Sequence, residues 1–172
     1  MGFVHAVAGF AAALALAACA PLAPTTPEGN PVTQTNVVIS LARSACYGFC
    51  PIYTVAITGE GDVTYVGHGF VNVVGEQRAT IPRADVAHLL ARFDAIGFDA
   101  LRNEYRASIT DIPTYTIALE RNGRRKVVVD YGGPGAGMPA SVRALEDEID
   151  RVAGTARWVL RDGQPVRTRP AH

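Results

Sequence analysis

Residues 114–131 read TYTIALERNGRRKVVVDY, and this stretch decides the kind of fold. Two apolar, β-branched runs flank Arg121-Asn122-Gly123-Arg124. Asn-Gly is the dipeptide that best tolerates the two successive positive φ angles of a tight hairpin turn. The turn sets the register, so Glu120 faces Arg125 and Ile117 faces Val128. Working outward toward the N-terminus, the same period of two recurs in Val37, Ile39 and Leu41, in Tyr53, Val55 and Ile57, and in Val63 and Tyr65. It returns from Phe70 to Val74 and from Ala79 to Ile81. With Gly59-Glu60-Gly61-Asp62 as a turn, these runs predict four antiparallel strands in a meander.

Between the meander and the hairpin the period changes. Val86, Leu89, Leu90, Phe93 and Ile96 make one helical stripe. Pro82 suits the first turn of that helix, and Gly97 suits a left-handed C-terminal cap that brings Phe98 onto Phe93. Beyond the hairpin, Gly132-Gly133-Pro134-Gly135-Ala136-Gly137 reads as a flexible loop. It has the composition of a phosphate-binding loop but lacks the Lys-Ser or Lys-Thr that would follow. A second helix is predicted from Pro139 to about Ala153, with Val142, Leu145, Ile149 and Val152 inward, Asp147 paired to Arg151, and Gly154 as its stop. Trp158, Val159 and Leu160 are expected to pack back as a last short element. Strands follow strands without the alternation that makes parallel sheets. The expected fold class is therefore α+β: an antiparallel sheet, built from a four-stranded meander plus a hairpin, with two helices packed on one face.

The 172 residues suit one domain of ordinary size. Sixteen Lys and Arg balance sixteen Asp and Glu, and the longest basic run is Arg124-Arg125-Lys126. That balance argues against a nucleic-acid-binding protein and against one held to a membrane surface by a polybasic segment alone. Residues 6–18 form an apolar run too short for a usual membrane span and of the right length for the core of an export signal. The run ends in Leu16-Ala17-Ala18-Cys19, which resembles the bacterial lipobox; the resemblance implies that Cys19 receives a lipid and becomes the mature N-terminus. The segment Met1-Gly2-Phe3-Val4-His5 departs from the pattern in having no Lys or Arg. Four prolines between Ala20 and Pro31 predict an extended, solvated tether. The expected organisation is a lipoprotein signal peptide over 1–18, a lipidated Cys19 and Pro-rich tether over 19–35, a single α+β domain over 36–160 and a flexible tail over 161–172. By resemblance to sorted lipoproteins, Ala20 rather than Asp after the cysteine implies the outer membrane and a domain facing the periplasm; the alternatives are a plain signal peptide cut after a triplet such as Ala13-Leu14-Ala15, with secretion to the periplasm, and an ordinary buried apolar segment.

The cluster with chemical character is Ser44-Ala45-Cys46-Tyr47-Gly48-Phe49-Cys50-Pro51-Ile52-Tyr53. It resembles the Cys-x-Gly-x-Cys-Pro-x-Tyr segment of an uncharacterised bacterial family, the domain of unknown function 6438. The likeness extends to Gly59–Gly67, to Ala95-Ile96-Gly97-Phe98 and to Asp111-Ile112-Pro113-Thr114. It implies a fold and an envelope setting, and carries over no activity and no catalytic residue. Three readings of Cys46 and Cys50 stand side by side. In an oxidising compartment the leading one is a structural disulfide, which stabilises by about 2 kcal/mol in the chain-entropy model. Cys-x-x-x-Cys-Pro also occurs in copper-delivery proteins of the thioredoxin fold, where a helix follows the pair, whereas Pro51 to Thr58 alternates like a strand. The third reading is thiol–disulfide exchange through an easily reduced short bridge.

His68 between Gly67 and Gly69 reads as a surface histidine, and Asp111 before Ile112-Pro113 as a turn-former. No nucleophile elbow, His-Glu-x-x-His helix or paired carboxylate is present, so no enzyme class, cofactor or metal is expected. The expected function is a non-enzymatic envelope module, held to the membrane by its lipid and binding an envelope protein or peptidoglycan. The alternative is an envelope redox or copper-handling protein using Cys46 and Cys50, with His68 or His88 as a third ligand.

Overall fold

The computed structural model describes residues 1–3 and 36–167. The chain divides into a leading unit, Met1–Asn30, of which only residues 1–3 are described, and a main unit, Pro31–His172. The signal peptide, Cys19 and the tether therefore lie outside the described residues apart from residues 1–3.

In the main unit, β1 (Val38–Arg43), β2 (Ile52–Thr58), β3 (Asp62–Gly69) and β4 (Gly75–Thr80) precede α1 (Arg83–Ala95). Then come β5 (Glu104–Arg106), β6 (Tyr115–Arg121), β7 (Arg124–Tyr131), α2 (Ala140–Ala153), the single-turn α3 (Ala156–Val159) and the two-residue strands β8 (Leu160–Arg161) and β9 (Gln164–Pro165). The first seven strands form one sheet in the order β4-β3-β2-β1-β6-β7-β5, and β8 and β9 form a separate ribbon.

This corrects the expected fold class. An antiparallel sheet of a four-stranded meander plus a hairpin is not what forms: among the described residues the sheet has seven strands and is mixed, β5 lying parallel to β7, and there are three helices with a second small sheet. Two physical facts account for the difference. Strand β5 has three residues, too few for alternation to show, and it joins by covering the edge that β7 would otherwise leave unpaired. The N-terminal edge of β1 does not stay free either: β6 pairs with it along its whole length, setting Ile39 against Leu119 and Leu41 against Ile117. One continuous apolar face results.

That face carries Ile39, Leu41, Val55, Ile57, Val63, Tyr65, Ile117, Leu119 and Val128, all essentially inaccessible. Val86, Leu89 and Phe93 of α1 and Val142, Leu145 and Ile149 of α2 complete the core. Each fully buried aliphatic side chain contributes about 2 kcal/mol of transfer free energy. The local signals place the ends. Gly97 has φ 63° after α1, and Phe98 meets Phe93 edge-on at 4.7 Å. Gly154 takes φ 66° after α2. In the hairpin Asn122 and Gly123 have φ 53° and 70°, with Glu120 opposite Arg125 and Ile117 opposite Val128. Gly133–Ala136, within the segment read as a flexible loop, winds into a 3₁₀ turn. In the expected tail, residues 161–165 complete the β8–β9 ribbon, and Val166 is buried.

Candidate functional site at the stapled turn

The loop joining β1 to β2 is closed by a Cys46–Cys50 disulfide, with 5.7 Å between the α-carbons. Its backbone is sewn to a segment some seventy residues away. The Ser44 amide donates to the Thr114 carbonyl at 3.0 Å, the Thr114 amide donates to Ser44 Oγ at 2.9 Å, and the Tyr47 amide donates to the Asp111 carbonyl at 3.2 Å. Asp111 is exposed with φ 66°, a turn-former as its sequence context suggests. The Cys-x-Gly-x-Cys-Pro-x-Tyr segment and Asp111-Ile112-Pro113-Thr114 are thus two walls of one structure.

Arg43, Cys50, Pro51, Tyr53, Pro113 and Tyr115 line a cavity of about 170 Å³ between those walls. Outside it the turn presents large apolar groups to solvent: Tyr47 is 89% exposed and Phe49 55%, the latter edge-on to Phe70 at 5.8 Å. Ile109 is also exposed. Inside, the polar groups are tied down. Tyr53 donates its hydroxyl to Asp150 Oδ1 at 2.7 Å, Thr155 Oγ1 donates to the same oxygen at 2.8 Å, and Arg43 Nη2 lies 2.6 Å from Asp150 Oδ2. The Arg43 guanidinium stands 4.3 Å from the centre of the Tyr115 ring, and that of Arg143 4.5 Å from it. Arg43 also reaches Asp147 at 3.4 Å, while Arg151 pairs with Glu148, so the expected Asp147–Arg151 pair gives way to a tertiary one.

These contacts remove acid–base chemistry from the cavity. Burial, and then the Asp150 charge, push the Tyr53 hydroxyl far above its ordinary range, against the opposing pull of Arg43. Tyr53 is a fixed donor. Burial works against the Arg43 charge, but Asp150 more than compensates and its pKa is raised. Arg43 is a permanent cation already matched by carboxylates. The bridged cysteines carry no thiolate. What remains is a rigid apolar hollow with an aromatic rim.

A second buried cluster adjoins it through Tyr115, whose partner across the β6–β7 ladder is Asp130. Asp130 Oδ1 accepts from the Gly133 amide at 2.6 Å, and Arg143 pairs with Oδ2. A Cβ at Gly133 would stand 2.6 Å from Met138 Sδ and 2.7 Å from Asp130 Oδ1, so a larger residue there would displace the Met138 side chain and the Asp130 carboxylate. Glu146 is wholly inaccessible, 3.4 Å from Arg143 Nε, with no hydrogen-bond partner among the described residues for either carboxylate oxygen. Burial, and then the neighbouring Asp130, push its pKa up to about 8 against the opposing Arg143 and Arg43 charges. Neither acid belongs to a recognisable sequence motif. Their signal was phase: Glu146 is four residues from Val142 and three from Ile149 on the inner stripe, and Asp130 alternates with the inward Val128.

The other expected residues are not drawn to this place. His68 is exposed on β3, and His88 Nε2 lies 2.8 Å from Glu148 Oε1 on α2. Among the described residues no three His, Cys, Asp or Glu side chains gather as a metal-holding group.

Residues 37–153 match the model of a family described as a domain of unknown function, DUF6438. The match covers the stapled turn, the cavity lining, Glu146 and Asp150, and the chain belongs to this family. No curated protein matches the chain.

Proposed function

We propose that this chain is a non-enzymatic binding module of the bacterial cell envelope, anchored in the outer membrane through a lipid on Cys19 and facing the periplasm. Its binding surface is the stapled turn. The observation that carries the reading is the contrast at that turn: Tyr47 and Phe49 stand in solvent beside a cavity walled by Pro51, Pro113 and Tyr115, while Arg43, Tyr53 and Asp150 behind them are paired with one another. Exposed aromatics around an apolar hollow of one-side-chain size are the anatomy of a protein-docking hot spot. An envelope protein therefore fits better than peptidoglycan. A disulfide suits an oxidising compartment, in keeping with the lipobox-like Leu16–Cys19. The redox and copper alternative draws no support here, because Cys50 leads into Pro51 and β2, not into a helix N-terminus that would stabilise a thiolate.

Photo-crosslinking in intact cells tests this reading. A crosslinkable residue in place of Tyr47 or Phe49 should yield a discrete protein adduct, absent when the same residue replaces Arg78 on β4. Adducts of equal yield at both places, or none at the turn, would sink it.

A further inference from the structure

Strand β1 starts at Val38 opposite Glu120 and ends at Arg43 opposite Tyr115. The β6–β7 turn and the stapled turn therefore sit at opposite ends of β1. The hairpin end is cationic, with Arg121, Arg124, Arg125 and Lys126 inside six residues. Arg121 is held by Asp94 and Asp99, each at 2.6 Å. Lys126 Nζ donates to two neutral oxygens, the Leu101 carbonyl at 2.5 Å and Asn103 Oδ1 at 2.7 Å, and enters no ion pair among the described residues, although it and Arg124 both act on the nearby Asp99 charge. Arg124 and Arg125 are exposed and enter no ion pair among the described residues; the acid across from Arg125 is Glu120. The four cations, with Leu119, Asn122 and Asp99, surround a hollow of about 340 Å³, and Arg125 and Lys126 border a second of about 460 Å³.

The place where the chain enters the domain supplies an independent observation. Asn36, Val37 and Val38 share a hollow with Glu120 and Gly123, beside the cationic turn. Sixteen residues, 20 to 35, separate that point from Cys19, a span of at most about 55 Å even when fully extended.

We propose that the β6–β7 hairpin docks on the anionic lipid surface that holds Cys19, with head-group phosphates entering the hollow between Arg124, Arg125 and Lys126. This rests on the lipid anchor of the preceding reading. Each contact between a cationic side chain and an anionic head group is weak, so three hold a free domain measurably at low salt and only loosely at physiological salt. Tethering makes docking intramolecular, at an effective concentration of about millimolar, and then weak contacts suffice. The guanidinium fork suits phosphate because it can engage two oxygens at once. Docked in this way, the domain directs Tyr47 and Phe49 away from the bilayer, toward a periplasmic partner.

The test uses the full acylated chain in bilayer discs of phosphatidylglycerol with phosphatidylethanolamine, or of phosphatidylcholine, each with a quencher at the head-group level. A fluorescent non-natural residue replaces Val38, which is exposed opposite Glu120 beside the turn. Quenching should be about threefold stronger in the anionic discs and should fall to the phosphatidylcholine level in Arg124→Glu/Arg125→Glu and at about 0.5 M salt. The same fluorophore in place of Tyr47 should stay unquenched in both. Equal quenching in the two lipids, or quenching indifferent to charge reversal, would overturn the proposal. A chain whose N-terminal mass is unmodified sinks the anchor instead. The hairpin is then read separately, by co-sedimentation of the unacylated chain at low salt: preference for phosphatidylglycerol vesicles over phosphatidylcholine upholds it, and preference for single-stranded RNA over phosphatidylglycerol overturns it.

Discussion

Glu146→Gln should stabilise the domain, and the gain should depend on pH in a direction set by burial. In the folded chain the Glu146 carboxyl is inaccessible, beside Asp130, and holds its proton to a pKa of about 8; its ordinary value is 4.5. The pKa is raised in the folded state, so the folded form binds more protons than the unfolded form between those limits. Wild-type stability through this group is therefore lost as pH rises from 4.5 toward 8, by about 1.4 kcal/mol per pH unit. Integrated, the penalty is about 3 kcal/mol at pH 7 and about 5 kcal/mol above pH 9, as order-of-magnitude figures. Glutamine has the same shape and does not ionise, so it escapes the penalty in full. A buried amide without partners adds an offset of about 1–3 kcal/mol that does not vary with pH, which leaves the slope as the diagnostic. Denaturant unfolding can be followed by the single tryptophan, Trp158, which is 8% exposed. The variant's advantage over wild type should grow by about 4 kcal/mol between pH 5 and pH 8.5. A difference flat across that window would refute the reasoning, because it would mean that Glu146 titrates alike in the folded and unfolded chains.

Three further outcomes are expected. Replacing both Cys46 and Cys50 by Ala should lower unfolding free energy by about 2 kcal/mol, the loop-closure value for so short a ring, and leave the circular dichroism spectrum native; a redox or copper protein would instead keep its stability and lose exchange activity or bound copper. Asp150→Asn should lower it by about 3 kcal/mol in urea titrations, since Arg43, with 12% of its side chain exposed, is left with only the exposed Asp147, whereas Tyr53→Phe should cost about 1 kcal/mol. Cys19→Ser should move the protein from the membrane pellet to the soluble fraction, and an unchanged distribution on fractionation would count against the anchor.

What the sequence by itself determined is local. The Asn122-Gly123 turn dictates a hairpin and its register, because the dihedral angles those two residues accept select one turn geometry. The glycine after each long helix and the apolar stripes of α1 and α2 were legible for the same reason: a period of 3.6 and a left-handed cap are properties of neighbours within a turn of one another. Cys46 and Cys50, four apart, could be recognised as a pair for the same reason.

Tertiary structure decided the rest. Which strand takes the free edge of β1, and whether a three-residue segment can pair in parallel with β7, depend on edges that exist only once the sheet is assembled. The site follows the same rule. Arg43, Tyr53, Pro113, Tyr115 and Asp150 are spread over more than a hundred residues, and only the β1–β6 pairing under α2 brings them together. Glu146 is the clearest case: a lone acid in phase with an apolar stripe reads as a helix-surface residue until packing removes its solvent, and only the low dielectric of the assembled core turns it into a carboxyl that stays protonated at neutral pH.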